Sequence, residues 1–132
     1  MRIRRDLLDE IVAHAREEAP NECCGLVGGR DGLAASILRG ENLHHSPLRF
    51  EIANPLPLLN AIEDAGEELV GIYHSHTRSE AYPSQTDVNL ARFWPDPVWL
   101  ICSLADAERP TVRAFAIRDG AVDEVALEVE EG

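Results

Sequence analysis

Two of the five histidines in this chain stand one residue apart, His74 and His76, in the run GIYHSHTRSEAYPSQTD over 71–87. Seven residues separate His76 from Ser84, and two separate Ser84 from Asp87. On a strand, residues two apart project to one face, so the two imidazoles point together while Ser75 points away. Their Cβ atoms then lie roughly 7 Å apart, and rings leaning inward can both reach a zinc ion at about 2.0–2.1 Å. A loop and the first turn of a following helix would return Asp87 as an oxygen ligand. Three ligands leave the fourth tetrahedral position to water, the arrangement of a catalytic zinc and not of a structural one.

Plainer readings of the same residues stand beside this one. A histidine pair on a strand can be a half-exposed polar face, and Ser84-x-x-Asp87 ahead of an apolar run is a capping-box pattern. Capping and catalysis are compatible, because a hydroxyl at a helix start can face a metal site. A metal-bound water also needs a proton acceptor. Glu22, in APNECCGL, opens a predicted strand directly after a helix, where a carboxylate can enter a cleft. Spacing alone does not select it from fifteen glutamates.

The elements that must position these residues follow from periodicity. In DLLDEIVAHAREEAP, Leu7, Leu8, Ile11, Val12, Ala15 and Ala19 recur at helical spacing, with Asp6 as the expected N-cap and Pro20 as the stop. CCGLVGGRDGLAASIL reads as two strands around an Asp31-Gly32 turn. LRFEI reads as a short strand, and NPLPLLNAIEDAGEE as a helix capped by Asn54 with Pro55 at its first position. LVGIYHSH (69–76) is strand-like, and SQTDVNLARF opens a helix that Pro95 ends. VWLICSL is an unbroken apolar run suited to a central strand covered on both faces. TVRAFAIRDGAVDEVALEV reads as two strands around Asp119-Gly120. The expectation is one α/β domain over 1–132, a curved mixed sheet packed by two or three helices.

Composition narrows the function classes. A formal charge of −12, with acidic residues clustered at Glu124, Glu128, Glu130 and Glu131, repels phosphate backbones and argues against nucleic acid as a ligand. The same acidity keeps a protein soluble and would steer in a partner with a basic face. The apolar stretches are strand-sized, which argues against a membrane span, and MRIRRDLLDEIVAHA lacks the apolar block of a signal peptide. Three cysteines, Cys23, Cys24 and Cys102, two of them adjacent, make a poor disulfide framework and favour a reducing cytoplasm. All twelve basic residues are arginine. Cys24 shares a strand face with Glu22 and could approach a metal, although a buried apolar filler is the expected role. Cys102 is expected in the core. His44 and His45 are expected at the surface or in local hydrogen bonds. Arg78, Ser79 and Tyr82, in the loop between the ligands, are candidate substrate contacts or a solvated loop.

Together, Glu22, His74-Ser75-His76, Ser84 and Asp87 resemble the JAMM motif of the JAB1/MPN+ metalloprotease family, a glutamate followed by H-S/T-H-x7-S-x2-D. The likeness runs from PNECCGL through the helix after PSQTD. Thr77, where many members have proline, is similar to the Mec-type bacterial branch. The resemblance implies an MPN/JAB-like fold and one zinc per chain ligated by His74, His76 and Asp87. It implies that Glu22 is the general base that activates water and returns the proton to the leaving amine. Ser84 would donate a hydrogen bond to the oxyanion.

The resemblance also implies the substrate: a small ubiquitin-like sulfur-carrier protein, cut after its C-terminal Gly-Gly to release cysteine, in cysteine biosynthesis. The short span from Glu22 to His74 leaves no room for the insertions that hold a second ubiquitin in linkage-selective relatives. The carrier tail is expected to lie along a sheet edge next to the histidine strand, by strand addition. A broader isopeptidase acting on lysine conjugates, and a non-catalytic MPN-type binding module, remain as alternatives. Oligomeric state is open, a homodimer included.

Overall fold

The computed structural model describes residues 1–131. In chain order the elements are β1 (Arg2–Arg4), α1 (Arg5–Glu18), β2 (Cys24–Arg30), β3 (Leu33–Arg39), α2 (Leu56–Asp64), β4 (Glu68–His76) and α3 (Gln85–Leu90). A single 3-10 turn (Ala91–Phe93), β5 (Val98–Ser103), β6 (Thr111–Arg118), β7 (Ala121–Val125) and β8 (Glu128–Glu130) complete the fold. The strands form one mixed sheet in the order β7-β6-β5-β4-β2-β3-β1-β8.

That order forces the sheet to curl. β7 and β8 lie at opposite ends of the order, yet only Ala126 and Leu127 separate them. Laid flat, eight strands would hold the two edges roughly 34 Å apart, whereas a two-residue link spans about 10 Å. The sheet therefore bends until its ends meet. The N-terminal ammonium donates to the Ala126 carbonyl at 2.8 Å, and Glu128 N–H donates to the Met1 carbonyl at 2.9 Å. α1 packs within the curl, where Leu8, Ile11 and Ala15 meet Val27, Tyr73, Leu100 and Ala114. On the other face Leu26, Ile72, Trp99, Ile101 and Phe115 are covered by α2, α3 and Phe50. β5 is thus buried on both faces, as its unbroken apolar run predicts.

The hairpin turns fall where expected. Asp31 and Gly32 (φ 54° and 78°) and Asp119 and Gly120 (φ 51° and 81°) take the paired left-handed conformations that such turns require. Gly25 has a different reason: the Tyr73 ring and the Leu38 carbonyl occupy the space a Cβ would need.

Several local expectations are corrected. α1 begins at Arg5 with Arg4 as its N-cap, because Arg2–Arg4 is itself a strand; Asp6 lies in the first turn, paired with Arg4 at 3.0 Å. Ala19 is exposed, while His14, absent from the apolar pattern, is buried. Its Nδ1 lies 2.7 Å from the Tyr73 hydroxyl, so α1 docks on β4 through a polar contact. LRFEI forms no strand, only the isolated bridge between Asn42 and Ile52. Asn54 does not cap α2; it takes φ 43°, and Pro55 occupies the cap position. The final apolar run is not one strand, since β8 leaves β7 and pairs in parallel with β1. Among the described residues, no helix is long and apolar enough to cross a membrane.

Candidate metal centre

β4 ends at the site. Its residues alternate, so Tyr73 and Ser75 face α1 while Ile72, His74 and His76 face α3. Ser84 then caps α3, its Oγ accepting from Asp87 N–H at 3.1 Å while Asp87 Oδ2 accepts from Ser84 N–H at 2.9 Å. The capping box is real, and it aims the Asp87 carboxylate at the histidines.

The three donor atoms form a nearly equilateral triangle. His74 Nε2 and His76 Nε2 are 3.2 Å apart, and Asp87 Oδ2 lies 3.1 Å from the first and 3.0 Å from the second. A tetrahedral ion with bonds of about 2.0–2.1 Å spaces its ligands by roughly 3.3 Å, so the triangle fits with a small outward adjustment. All three residues are buried and together could hold a metal ion. One carboxylate and two imidazoles form a donor set suited to a borderline divalent cation.

The rings are oriented by different means. His76 Nδ1 lies 2.9 Å from the Glu80 carbonyl, which can only accept. Nδ1 therefore carries the proton, and the Nε2 lone pair is free for the triangle. His74 is held by aromatic packing, with Phe50 stacked at 4.4 Å and Trp99 edge-on at 6.1 Å. Among the described residues, His74 Nδ1 has no hydrogen-bond partner.

Charge follows this geometry. Burial pushes the Asp87 carboxyl up, but His74, His76 and the Ser84 N–H together hold it well below the usual carboxylate range. Burial lowers His74, with Asp87 only partly opposing it. Burial also works against charge on His76, but there Asp87 and the Glu80 carbonyl win and raise it. Of the two imidazoles, His76 is accordingly the one that Asp87 favours in its charged form.

Glu22 is 4% exposed, and its Oε1 is buried without a partner among the described residues. Burial raises its carboxyl to about 8, with the His76 charge opposing and Asp87 adding to the shift. Its backbone is fixed on two sides: Glu22 N–H donates to the Ser46 carbonyl at 2.8 Å, and its carbonyl accepts from Asn42 Nδ2 at 3.1 Å. The adjacent Cys23 N–H donates to Ser75 Oγ at 2.8 Å. The serine between the two histidines thus ties the Glu22 segment to the ligand strand.

Other candidates separate clearly. Cys24 pairs with His74 across the strands and faces the same side, but is not one of the grouped donors. Cys102 is buried in the core, and the three cysteines are free. His44 contacts Glu51 at 3.2 Å and His45 lies 3.9 Å from Glu41, both in local pairs. Arg78 is exposed, and Tyr82 is partly covered by Phe115.

Sequence reasoning missed Phe50, Trp99 and Asn42. Phe50, Ile52, Ile72, Leu90, Trp94 and Trp99 line an apolar cavity of about 430 Å³ beside His74, and Trp99 Nε1 is buried without a partner among the described residues. No local pattern marks these residues, since they meet only through the fold.

The family model for prokaryotic homologs of the JAB domain matches residues 4–118. The chain belongs to this family. It is 42% identical over 133 residues to a CysO-cysteine peptidase of Mycobacterium tuberculosis, covering 98% of this chain and 90% of that protein. It is 39% identical over 130 residues to a probable TtuB-protein conjugate cleaving protease of Thermus thermophilus, covering 96% and 81%. A solution structure of a Desulfitobacterium hafniense protein superposes with a TM-score of 0.87 at 36% identity, covering 99% of this chain and 93% of that one. The JAB/MPN fold and a JAMM-type peptidase class are thereby assigned to this chain.

Proposed function

We propose that this JAB-family protein is a zinc-dependent hydrolase that cuts the amide bond after the C-terminal Gly-Gly of a small ubiquitin-like sulfur-carrier protein and releases cysteine. The observation that carries the reading is the buried triangle of His74, His76 and Asp87 with a proton-loving Glu22 beside it. Likeness over nearly the whole chain to a CysO-cysteine peptidase supports the substrate class.

In this reading His74, His76 and Asp87 hold one zinc. When bound, the ion supplies Lewis acidity toward the scissile carbonyl and acidifies water. Glu22 stands outside the ligand group, so it is assigned the proton: it takes one from water and gives it to the leaving amine. Its buried Oε1 has no partner among the described residues, so it offers a free acceptor for that exchange. The Ser84 Oγ accepts from the helix backbone, which leaves its own hydrogen free to stabilise the oxyanion.

The expected strand addition beside β4 is not available, because β2 and β5 pair with both of its edges. A different edge supports tail docking. The Leu43 N–H to Glu51 and Ala53 N–H to Glu41 bonds tie one side of the 50–53 run to the neighbouring loop. Among the described residues, the main-chain groups of Phe50 and Ile52 on its other side have no partner. An extended tail lying there would end at His74 and could place an apolar side chain in the cavity walled by Phe50 and Trp99. Glycines at its end would let the carbonyl approach without a Cβ in the way. The segment from Glu22 to His74 is filled by β2, β3 and α2 and carries no extra domain for a bulky leaving group. The buried free cysteines and the lack of a membrane-spanning helix among the described residues are compatible with a cytoplasmic enzyme.

The test is a side-by-side rate comparison of a carrier-Gly-Gly-cysteine adduct with the same carrier joined to a lysine side chain. We expect faster release of cysteine. Faster release from lysine would favour the broader isopeptidase, and no turnover of either by zinc-loaded protein would favour the binding module.

A further inference from the structure

Strand register brings a second polar group onto the face of the metal centre. Cys24 pairs with His74, His74 with Ile101, and Ile101 with Arg113, so the four form one row across four strands. Arg113 is two strands from His74, roughly 10 Å away along the sheet. Its guanidinium donates to both Glu124 carboxylate oxygens, at 3.0 and 2.7 Å. The same guanidinium lies 5.2 Å from the centre of the Phe115 ring and 6.0 Å from that of Tyr82. Tyr82 stands edge-on to Phe115 at 5.4 Å.

Tyr82 belongs to the loop between the ligands, which has no helix or strand to stiffen it. Two residues earlier, the Glu80 carbonyl accepts from Tyr82 N–H at 2.9 Å and orients His76 through Nδ1, also at 2.9 Å. On the other flank Ser103 Oγ donates to the Ser79 carbonyl at 2.6 Å. The loop whose Glu80 carbonyl sets the His76 tautomer is therefore anchored on one flank by Ser103 of β5 and on the other by the 45% exposed Tyr82 ring, which lies edge-on to Phe115 and near Arg113, both of β6.

We infer that Arg113, tethered by Glu124, is a positioning residue for the metal centre: by clamping Tyr82 against Phe115 it fixes the Glu80 carbonyl and, through it, the direction of the His76 ring. The inference rests on His76 being a metal ligand. An arginine suits this place because its planar group can grip a carboxylate at its edge while a face lies on aromatic rings, which a lysine ammonium cannot do.

The experiment uses the full chain and no substrate. Zinc affinity is measured by competition with a chromophoric chelator, and ligand geometry by the visible spectrum of the cobalt-substituted protein. We expect Arg113→Gln and Tyr82→Leu each to weaken zinc binding by about tenfold and to alter the cobalt bands, the effect of losing support behind a ligand. Tyr82→Phe keeps the ring and should match the parent in both readouts. Circular dichroism of the metal-free forms establishes folding, and should Arg113→Gln fail to fold, the two Tyr82 variants decide the matter. Unchanged zinc affinity and cobalt spectrum in a folded Arg113→Gln protein overturn the inference, even if turnover falls. So does an equal loss in Tyr82→Phe, which would assign the effect to the hydroxyl. A parent protein that binds neither metal would instead remove the metal-site reading itself.

Discussion

At the scale of single residues, Glu22 is the group whose assigned role is most exposed to contradiction. Glu22→Gln keeps size and hydrogen bonding but cannot carry the proton. It should retain zinc in elemental analysis while turnover falls by roughly 10²-fold or more. Loss of zinc with activity restored by added metal would make Glu22 a ligand instead. Its carboxyl also links stability to pH. The folded metal-free protein holds this proton up to about 8, whereas the unfolded chain releases it near 4.5. As pH rises through that window the unfolded state gives up its proton first, so Glu22 makes the metal-free protein progressively less stable. Thermal midpoints between pH 5 and 8 should decline less in Glu22→Gln than in the parent. A nearby divalent cation favours the carboxylate, so zinc binding at about pH 7 should also expel the Glu22 proton. Calorimetry in buffers of different ionisation heat should show about one proton fewer released by Glu22→Gln.

Elements explain which parts of the site were legible. His74, His76 and Asp87 could be read because two local rules place them: period-two alternation on β4 and the capping box at the start of α3. Glu22 emerged only through family resemblance, since its place depends on Asn42, Ser46 and Ser75 meeting across the fold. LRFEI misled because Asn42 Oδ1 accepts the Glu51 N–H at 3.2 Å, giving a side chain the part of a strand partner. The cap and the proposed oxyanion donor share one residue, and they can be separated. Ser84→Ala should cost about 1 kcal/mol of stability and slow the chemical step. Ser84→Asn keeps a cap acceptor, so denaturant titration should show the stability recovered while the rate stays low. Recovery of both would reduce Ser84 to a cap. Gly25→Ala tests the sheet itself, because its Cβ would collide with the Tyr73 ring and the Leu38 carbonyl. A loss of about 1–3 kcal/mol in chemical denaturation is expected.

Across the whole molecule, the mixed α/β class, a curved sheet and the central place of β5 were expected from the sequence, while the meeting of the sheet ends through β1 and β8 was not. β1 and β8 are three residues each, too short for a periodic pattern, and they pair only because the sheet ends meet. That closure holds α1 inside and leaves the outer face to the metal triangle, the apolar cavity and the unpaired Phe50–Ile52 edge. The net charge of −12 favours a carrier with a basic docking face, whose association should weaken as salt rises. The central claim is hydrolysis, and intact-mass spectrometry in ¹⁸O-labelled water tests it most directly. A carrier-Gly-Gly-cysteine adduct incubated with zinc-loaded protein should lose cysteine and gain one labelled oxygen at the new carrier terminus, and Glu22→Gln should leave it intact. An adduct unchanged by the zinc-loaded parent, or cleaved equally by Glu22→Gln, would contradict the account.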